Sequence, residues 1–368
     1  MRRKIMVLGP LPPPFGGVSL HIVRFLELLK SQGVDAGAQP YTGIAGTHRL
    51  AKLFRAVRML VAIYAQPRPG REGVLHLHYG GLGYFLALAP ILRTSRARLV
   101  VTFHSVRVLQ DLERAPSWLR RRVLELLERF SLFVAVRSEI GDSLRSLGLA
   151  GPDICVMPAF LPPAPAELAI DRLPPDVAAV LTAAQDAGDM QVCCAAYYLG
   201  RGYGHDDIYG IEALLAALSV VGVPGGRLLH LWVLVSNRPQ GAEQLAAEAR
   251  IRSAARAIPG FNLHLHYGLP LVPVMCRTSA FLRPSREDGD SVAIREALAL
   301  GLPVLASAVV NRPGEVETYV DGQLARALSC FLDRLAPLGP GETQNLRPVD
   351  DADYSAFVLE VLGEPRAR

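Results

Sequence analysis

Phe281-Leu-Arg-Pro-Ser-Arg-Glu-Asp-Gly-Asp-Ser-Val-Ala-Ile-Arg-Glu-Ala-Leu-Ala-Leu-Gly-Leu-Pro-Val-Leu-Ala-Ser307 has the pattern strand, acidic loop, helix, strand. A strand over Ala280–Leu282 delivers an acidic loop that holds Glu287, Asp288 and Asp290. A helix follows over Ser291–Leu300, Gly301 closes it, and Pro303 leads into a second strand, Val304–Ala306. Asp288 then lies in the loop and Glu296 about one and a half turns into the helix. Two carboxylates so placed can accept hydrogen bonds from the hydroxyls of one extended polyol. The helix start, at Asp290 and Ser291, faces that ligand's phosphates. Plain capping of the helix would explain Asp290 but not Glu296, which sits too deep.

The same alternation runs along the whole chain. Expected strands are Ile5–Leu8, Val74–His78, Leu99–Phe103, Leu132–Val136 and Ile154–Met157, then Val192–Tyr197, Leu228–Val235, Leu263–His266, Ala280–Leu282 and Val304–Ala306. Amphipathic helices fit at Val18–Leu29, Ala51–Tyr64, Leu119–Phe130, Ile208–Leu218, Ala242–Ala257 and Ser291–Leu300. Strand–helix alternation predicts α/β architecture with parallel sheets covered on both faces. There are too many strands for one sheet of ordinary size, and the proline-rich run from Leu161 to Pro175 separates the two sets. The expected organisation is a first Rossmann-like domain over 1–162, a second over 163–345, and a C-terminal helix or tail over 346–368 that returns to the first. Ligands in such folds bind beyond the carboxyl ends of the strands, in the loops that open each helix.

Composition narrows the class. Half of the 368 residues are apolar and 20% are charged, enough core for two full domains and too little charge for disorder. The five cysteines, Cys155, Cys193, Cys194, Cys276 and Cys330, are scattered and form no metal-ligand spacing, so they read as reduced core thiols of a cytosolic protein. No segment is apolar enough to span a bilayer, and the short apolar run after Met1-Arg-Arg-Lys reads as a first strand rather than a leader. Residues 1–160 carry 22 Lys and Arg against 10 Asp and Glu, whereas the remainder carries 17 against 24. A basic first half suits an anionic partner, a membrane surface or a phosphorylated acceptor. Nucleic acid is disfavoured, because the basic stretches are helical and lack stacking aromatics. The segment Arg49–Tyr64 gathers Leu50, Leu53, Phe54, Val57, Leu60, Val61 and Tyr64 on one face, with Lys52, Arg55 and Arg58 elsewhere. Such a helix either lies on an anionic membrane or packs on its own sheet.

Other loops carry further candidates. Pro12-Pro-Pro-Phe-Gly-Gly-Val-Ser19 opens a helix after the first strand without the dinucleotide fingerprint. Gly16 and Gly17 would let the backbone approach a ligand and present free N–H groups to an anion, or they form a plain turn. His76 and His78 share a strand face but have no third ligand, so no metal is expected. His264 and His266 flank a strand end with no motif and read as structural.

The segment from Asp288 to Val304 resembles the donor-binding signature of family 4 retaining glycosyltransferases. There, two acids separated by seven residues precede an Ala-x-x-x-Gly-x-Pro-Val run, here Ala297-Leu-Ala-Leu-Gly-Leu-Pro-Val304. Gly16-Gly17, Thr102-Phe-His104, Ile154-Cys-Val-Met-Pro158 and Leu199-Gly200-Arg201 resemble further marks of that family, in the same order. The resemblance implies the GT-B arrangement, two Rossmann-like domains facing across a cleft. It implies that Glu296 holds the nucleotide ribose, Asp288 contacts the transferred sugar, and Gly16, Gly17, Gly200 and Arg201 lie at the diphosphate. His104 would orient the sugar, making His104, Asp288 and Arg201 the catalytic candidates.

Two departures stand out. The first acid is Asp288 where the family has Glu, and Tyr209-Gly210 stands where the family has Lys-Gly. The implied activity is transfer of a sugar from a UDP- or GDP-sugar to a lipid-linked or saccharide acceptor, with retention and without an obligatory metal or other cofactor. The setting would be bacterial surface-polysaccharide or glycolipid synthesis at the inner face of the membrane. A nucleotide-sugar 2-epimerase and a non-catalytic nucleotide-sugar-binding homologue or assembly subunit are the competing readings.

Overall fold

The computed structural model describes residues 4–12, 16–40, 61, 63–64, 73–202, 204–223, 226–347, 356–358 and 361. Two compact units divide the chain, the first from Met1–Pro12, Gly17–Leu161 and Asp350–Arg368, the second from Pro13–Gly16 and Pro162–Val349.

The first unit is a six-stranded sheet of β1 (Lys4–Gly9), β2 (Asp35–Pro40), β3 (Val74–His78), β4 (Arg98–Phe103), β5 (Leu132–Ala135) and β6 (Asp153–Val156). The strands run in the order β2-β1-β3-β4-β5-β6, every pair parallel. β3, β4 and β5 read as near-continuous apolar runs because both their faces are covered. Leu77, Phe85, Phe103, Phe130 and Phe133 fill one face. Helix Gly17–Ser31 brings Ile22, Phe25 and Leu29, all fully buried, into the core. Gly33, at φ 74°, closes that helix in the left-handed region. At the other end of the chain, Phe357 sets its ring edge-on to Phe25, and Arg98 Nη1 donates to the Val361 carbonyl at 3.1 Å.

The second unit repeats the plan with β7 (Met190–Ala196), β8 (Leu229–Val235), β9 (Phe261–Tyr267), β10 (Ala280–Arg283), β11 (Val304–Ser307) and β12 (Glu317–Tyr319), ordered β12-β11-β10-β7-β8-β9. All its pairs are parallel as well. Helices Ile211–Val221 and Leu324–Leu332 supply Leu214, Leu215, Leu218, Phe331 and Leu332 to one face. Trp232, Phe281, Met275 and Ile294 fill the other. The Trp232 indole satisfies its N–H on Gln191 Oε1 at 3.0 Å, which makes full burial of that ring tolerable.

All ten expected strands are present, with ends moved by one or two residues. β2 and β12 were not anticipated: Asp-Ala-Gly-Ala-Gln-Pro has little strand propensity, and Glu317–Tyr319 is a three-residue edge. Helix Leu82–Thr94 was missed because Pro90 lies within it. The helix expected over Ala51–Tyr64 lies almost wholly outside the described residues. The proline-rich connection contains two short 3₁₀ turns, Pro165–Glu167 and Ile170–Arg172, before helix Pro175–Asp186. Four of the cysteines are buried and free, but Cys330 is exposed, which corrects its reading as a core thiol.

Candidate functional site

Each sheet has one point where the strand order reverses, and there the loops diverge to leave a crevice. In the first unit it lies between β1 and β3, in the second between β7 and β10.

In the first unit β1 ends at Gly9, where a Cβ would come within 2.4 Å of Ile22 Cδ1 and 3.3 Å of His78 Cβ, so the helix and β3 pack closely over it. Gly16 and Gly17 stand at the start of helix Gly17–Ser31, whose N-terminus carries no acid in its first turn. His21 lies one turn further on and meets His78 and His104 with ring centroids 5.5 and 5.7 Å away. His78 Nδ1 and His104 Nε2 are 2.9 Å apart, sharing one hydrogen, and His76 Nε2 is 2.8 Å from Thr102 Oγ1. His104 sits just past the end of β4 and is half-buried; the other three imidazoles are fully buried.

Burial, reinforced by the nearby Arg24 charge, lowers His21 to about 4. Burial lowers His76 to about 3, and it holds His78 and His104 well below the ordinary 6.5, helped by the other rings. All four are therefore neutral at ordinary pH, able to donate one hydrogen bond and accept another. Among the described residues no group of His, Cys, Asp or Glu is arranged to hold a metal ion.

In the second unit β7 runs into Gly200, at φ 84°, and Arg201. The Glu243 carboxylate accepts the Arg201 backbone N–H at 2.8 Å and lies 2.7 Å from where a Cβ on Gly200 would be. The Arg201 side chain is 67% exposed and, among the described residues, forms an ion pair with the still more open Asp206 at 2.9 Å. Gly210 adopts φ 70°, and a Cβ there would lie 1.9 Å from the Pro284 carbonyl oxygen, so the loop ending in Tyr209-Gly210 packs directly on the loop after β10. Asp207 caps helix Ile211–Val221, accepting from the Ile211 and Ala213 N–H groups at 3.0 Å each.

The acidic loop itself is more engaged than its sequence suggests. Asp288 takes a two-pronged pair from Arg283, Nη2 to Oδ1 at 2.8 Å and Nε to Oδ2 at 3.0 Å, and a third bond from Arg312 Nη1 at 2.8 Å. The Gly289 N–H adds a fourth at 3.1 Å. Burial alone would raise this carboxyl, but the two guanidinium groups outweigh it and hold it down to about 2. Ser291 is the N-cap of helix Val292–Ala299, accepting from Ile294 N–H. Asp290 does not cap the helix; its oxygens receive Arg295 Nε at 2.8 and 2.9 Å. Glu296 lies mid-helix, 1% exposed.

No protein-family model matches the sequence, and neither does any curated protein. Solved structures do match. A sucrose-phosphate synthase from Thermosynechococcus elongatus aligns over 90% of this chain and 89% of its own, at 16% identity and a TM-score of 0.61. Anabaena HepE in complex with UDP-glucose aligns over 90% and 88%, at 13% identity and 0.56. The lipopolysaccharide outer core galactosyltransferase WaaB aligns over 98% and 100%, at 13% identity and 0.55. The fold is that of the GT-B glycosyltransferases.

Within that fold the two switch points gather the candidates in two groups. Gly17 and His104 belong to the first unit, with His21, His76 and His78 as neighbours the sequence left unassigned, whereas Gly16 groups with the second unit. Gly200, Arg201, Asp288, Asp290, Ser291 and Glu296 belong to the second. Arg312 escaped sequence reading altogether. It lies in the loop after β11, and its only signal was a cation at the carboxyl end of a strand.

Proposed function

We propose that this protein is a glycosyltransferase of the family 4 type, moving a sugar from a UDP- or GDP-sugar to a lipid-linked or saccharide acceptor with retention. The observation that supports it best is the placement of Asp288, Ser291 and Glu296 at the carboxyl end of β10, beside the β7 loop that carries Gly200 and Arg201. Related folds are known with UDP-glucose bound, which favours a nucleotide-sugar donor. Glu296 takes the ribose hydroxyls. Gly16, Gly17, the start of helix Val292–Ala299 and the arginines take the diphosphate. In the reaction the bond from the sugar's C1 to the diphosphate oxygen breaks, a bond from C1 to the acceptor oxygen forms, and the acceptor hydroxyl's proton passes to the departing diphosphate. Backbone N–H groups and guanidinium charge stabilise the departing diphosphate without an obligatory metal or other cofactor. The neutral His78–His104 pair offers the sugar a hydrogen bond without adding charge. A basic first half, with the segment Arg49–Tyr64, favours an acceptor met at an anionic membrane face, in surface-polysaccharide or glycolipid synthesis on the cytoplasmic side. Incubating the protein with labelled UDP- and GDP-sugars and a panel of saccharide and lipid-linked acceptors tests this reading: a glycosylated product is expected. Interconversion of the nucleotide sugar alone would point to an epimerase, and binding without turnover to an assembly subunit.

A further inference from the structure

The charges around Asp288 do not cancel. Arg283 and Arg312 both bond its carboxylate, and the three side chains are 11%, 3% and 6% exposed. Other groups that could neutralise the surplus positive charge are occupied or uncharged. Asp290 is paired with Arg295, Asp207 caps a helix, and Glu296 has contacts of its own. The Tyr209 hydroxyl is pushed up to about 12 by burial, and burial likewise raises the Cys194 thiol, so neither ionises. Arg312 Nε donates to the Ser307 carbonyl and Arg283 Nη1 to that of Ala195, yet Arg312 Nη2 is buried and meets no acceptor among the described residues. A buried guanidinium with hydrogen-bond capacity to spare is a strong receptor for an anionic oxygen.

Its position specifies which anion. Arg283 ends β10 and, through the Ala195 carbonyl, ties it to β7, so the surplus charge sits at the switch point of the second unit. Arg283 also lies over the ring of Tyr209, its guanidinium carbon 5.2 Å from the centroid. Tyr209 occupies the position where the family has its phosphate-binding lysine. We infer that Arg283 and Arg312, held by Asp288, form the diphosphate-recognition centre of this protein and replace that lysine. On this assignment Asp288 is a positioning residue that holds both guanidinium groups. The inference rests on the nucleotide-sugar reading above.

Calorimetry on the full chain with UDP, GDP, uridine, UDP-glucose and UDP-glucuronate tests it. Arg312→Gln should weaken the preferred nucleoside diphosphate at least tenfold and leave the nucleoside unchanged, with a shallower salt dependence than the parent. Arg312→Lys should retain part of the affinity, and Tyr209→Lys should restore part of it to Arg312→Gln. Unchanged diphosphate affinity in Arg312→Gln, or equal losses for uridine and UDP, would overturn the assignment. So would a loss confined to UDP-glucuronate, which would put the cation at a sugar carboxylate instead. Should the parent bind no nucleotide and no nucleotide sugar, the donor reading itself fails, an outcome distinct from an unaffected variant of a binding parent. Thermal unfolding of each variant separates misfolding from lost recognition, and Arg312→Lys keeps the test decisive if removing the charge unfolds the unit.

Discussion

The two switch points are built on the same topology and opposite electrostatics. At the end of β3 and β4, four imidazoles pack against one another with no carboxylate among them, and burial keeps every one neutral. At the end of β10, two arginines and an aspartate are buried together, and mutual attraction keeps every one charged. A group that loses water either gives up its charge or finds a counter-charge, and each switch point has taken one of these routes. The first leaves a crevice of adaptable donors and acceptors suited to sugar hydroxyls. The second leaves a fixed positive field suited to phosphate. The contrast can be broken experimentally, because the two routes respond differently to substitution and to acid.

The largest effect is expected for Asp288→Ala. Removing the one carboxylate leaves two buried guanidinium groups facing each other, and breaking a buried pair in this way costs about 3–5 kcal/mol. Urea unfolding should show that loss in the second unit, and added UDP or GDP should recover part of it by supplying the missing anion. A variant as stable as the parent would mean that the arginines relax into solvent and the second site is not a rigid charged centre.

Acid separates the two sites in the next test. The folded protein holds His21 near 4 and His76 near 3, whereas the unfolded chain takes up protons at its ordinary 6.5. Stability from these groups is therefore complete above pH 6.5 and is lost as pH falls towards 4 and then 3. His21 alone accounts for about 3 kcal/mol of that loss. Asp288, lowered from 3.8 to about 2, contributes stability present above 3.8 and lost only as pH falls towards 2. Amide hydrogen exchange at pH 7 and pH 5 should thus show β1, β3 and β4 losing protection, joined in the second unit by β8 and β9, where burial lowers His230 and holds His264 near 4, while β10 and β11, beside Asp288, keep theirs. The reverse order would dissolve the distinction.

Glu296→Gln is expected to be milder, weakening UDP or GDP by about tenfold, the worth of one charge-assisted hydrogen bond. UDP and uridine should be affected alike, because the ribose is common to both, whereas Arg312→Gln should spare the nucleoside. Identical profiles for the two variants would merge ribose and phosphate recognition into one cluster. His104→Gln should lower turnover and leave nucleotide affinity as it was.

The sequence made the fold legible because the period of its apolar runs changes cleanly between strand and helix. Val74–His78 and Leu229–Val235 are apolar runs interrupted only by histidines, and a strand buried on both faces accounts for them. Edge strands such as Asp35–Pro40 carry no such signal, since one side of them meets solvent. For the candidate site, spacing located Asp288 and Glu296 but could not reveal the state of either. That Asp288 is gripped by Arg312, 24 residues further along the chain, is a fact of tertiary packing with no local trace. The fourfold imidazole cluster is equally non-local, since it joins one helix to the ends of two strands.

The smallest expected effect concerns Arg201, the one candidate cation whose charge is not buried. Its partner Asp206 is 84% exposed, so the pair contributes under about 1 kcal/mol to stability and is screened by salt. Asp206→Asn should leave the unfolding midpoint where it was. If Arg201 is a diphosphate ligand, however, Asp206 competes with the incoming phosphate for the same guanidinium. Releasing it should then tighten UDP or GDP binding by about two- to fivefold at low salt, with the gain fading as ionic strength rises. Uridine, which carries no phosphate, should gain nothing. Weaker diphosphate binding in Asp206→Asn would show instead that the ion pair holds Arg201 in its working position. The second site would then be preorganised out to its exposed rim, as it already is around Asp288.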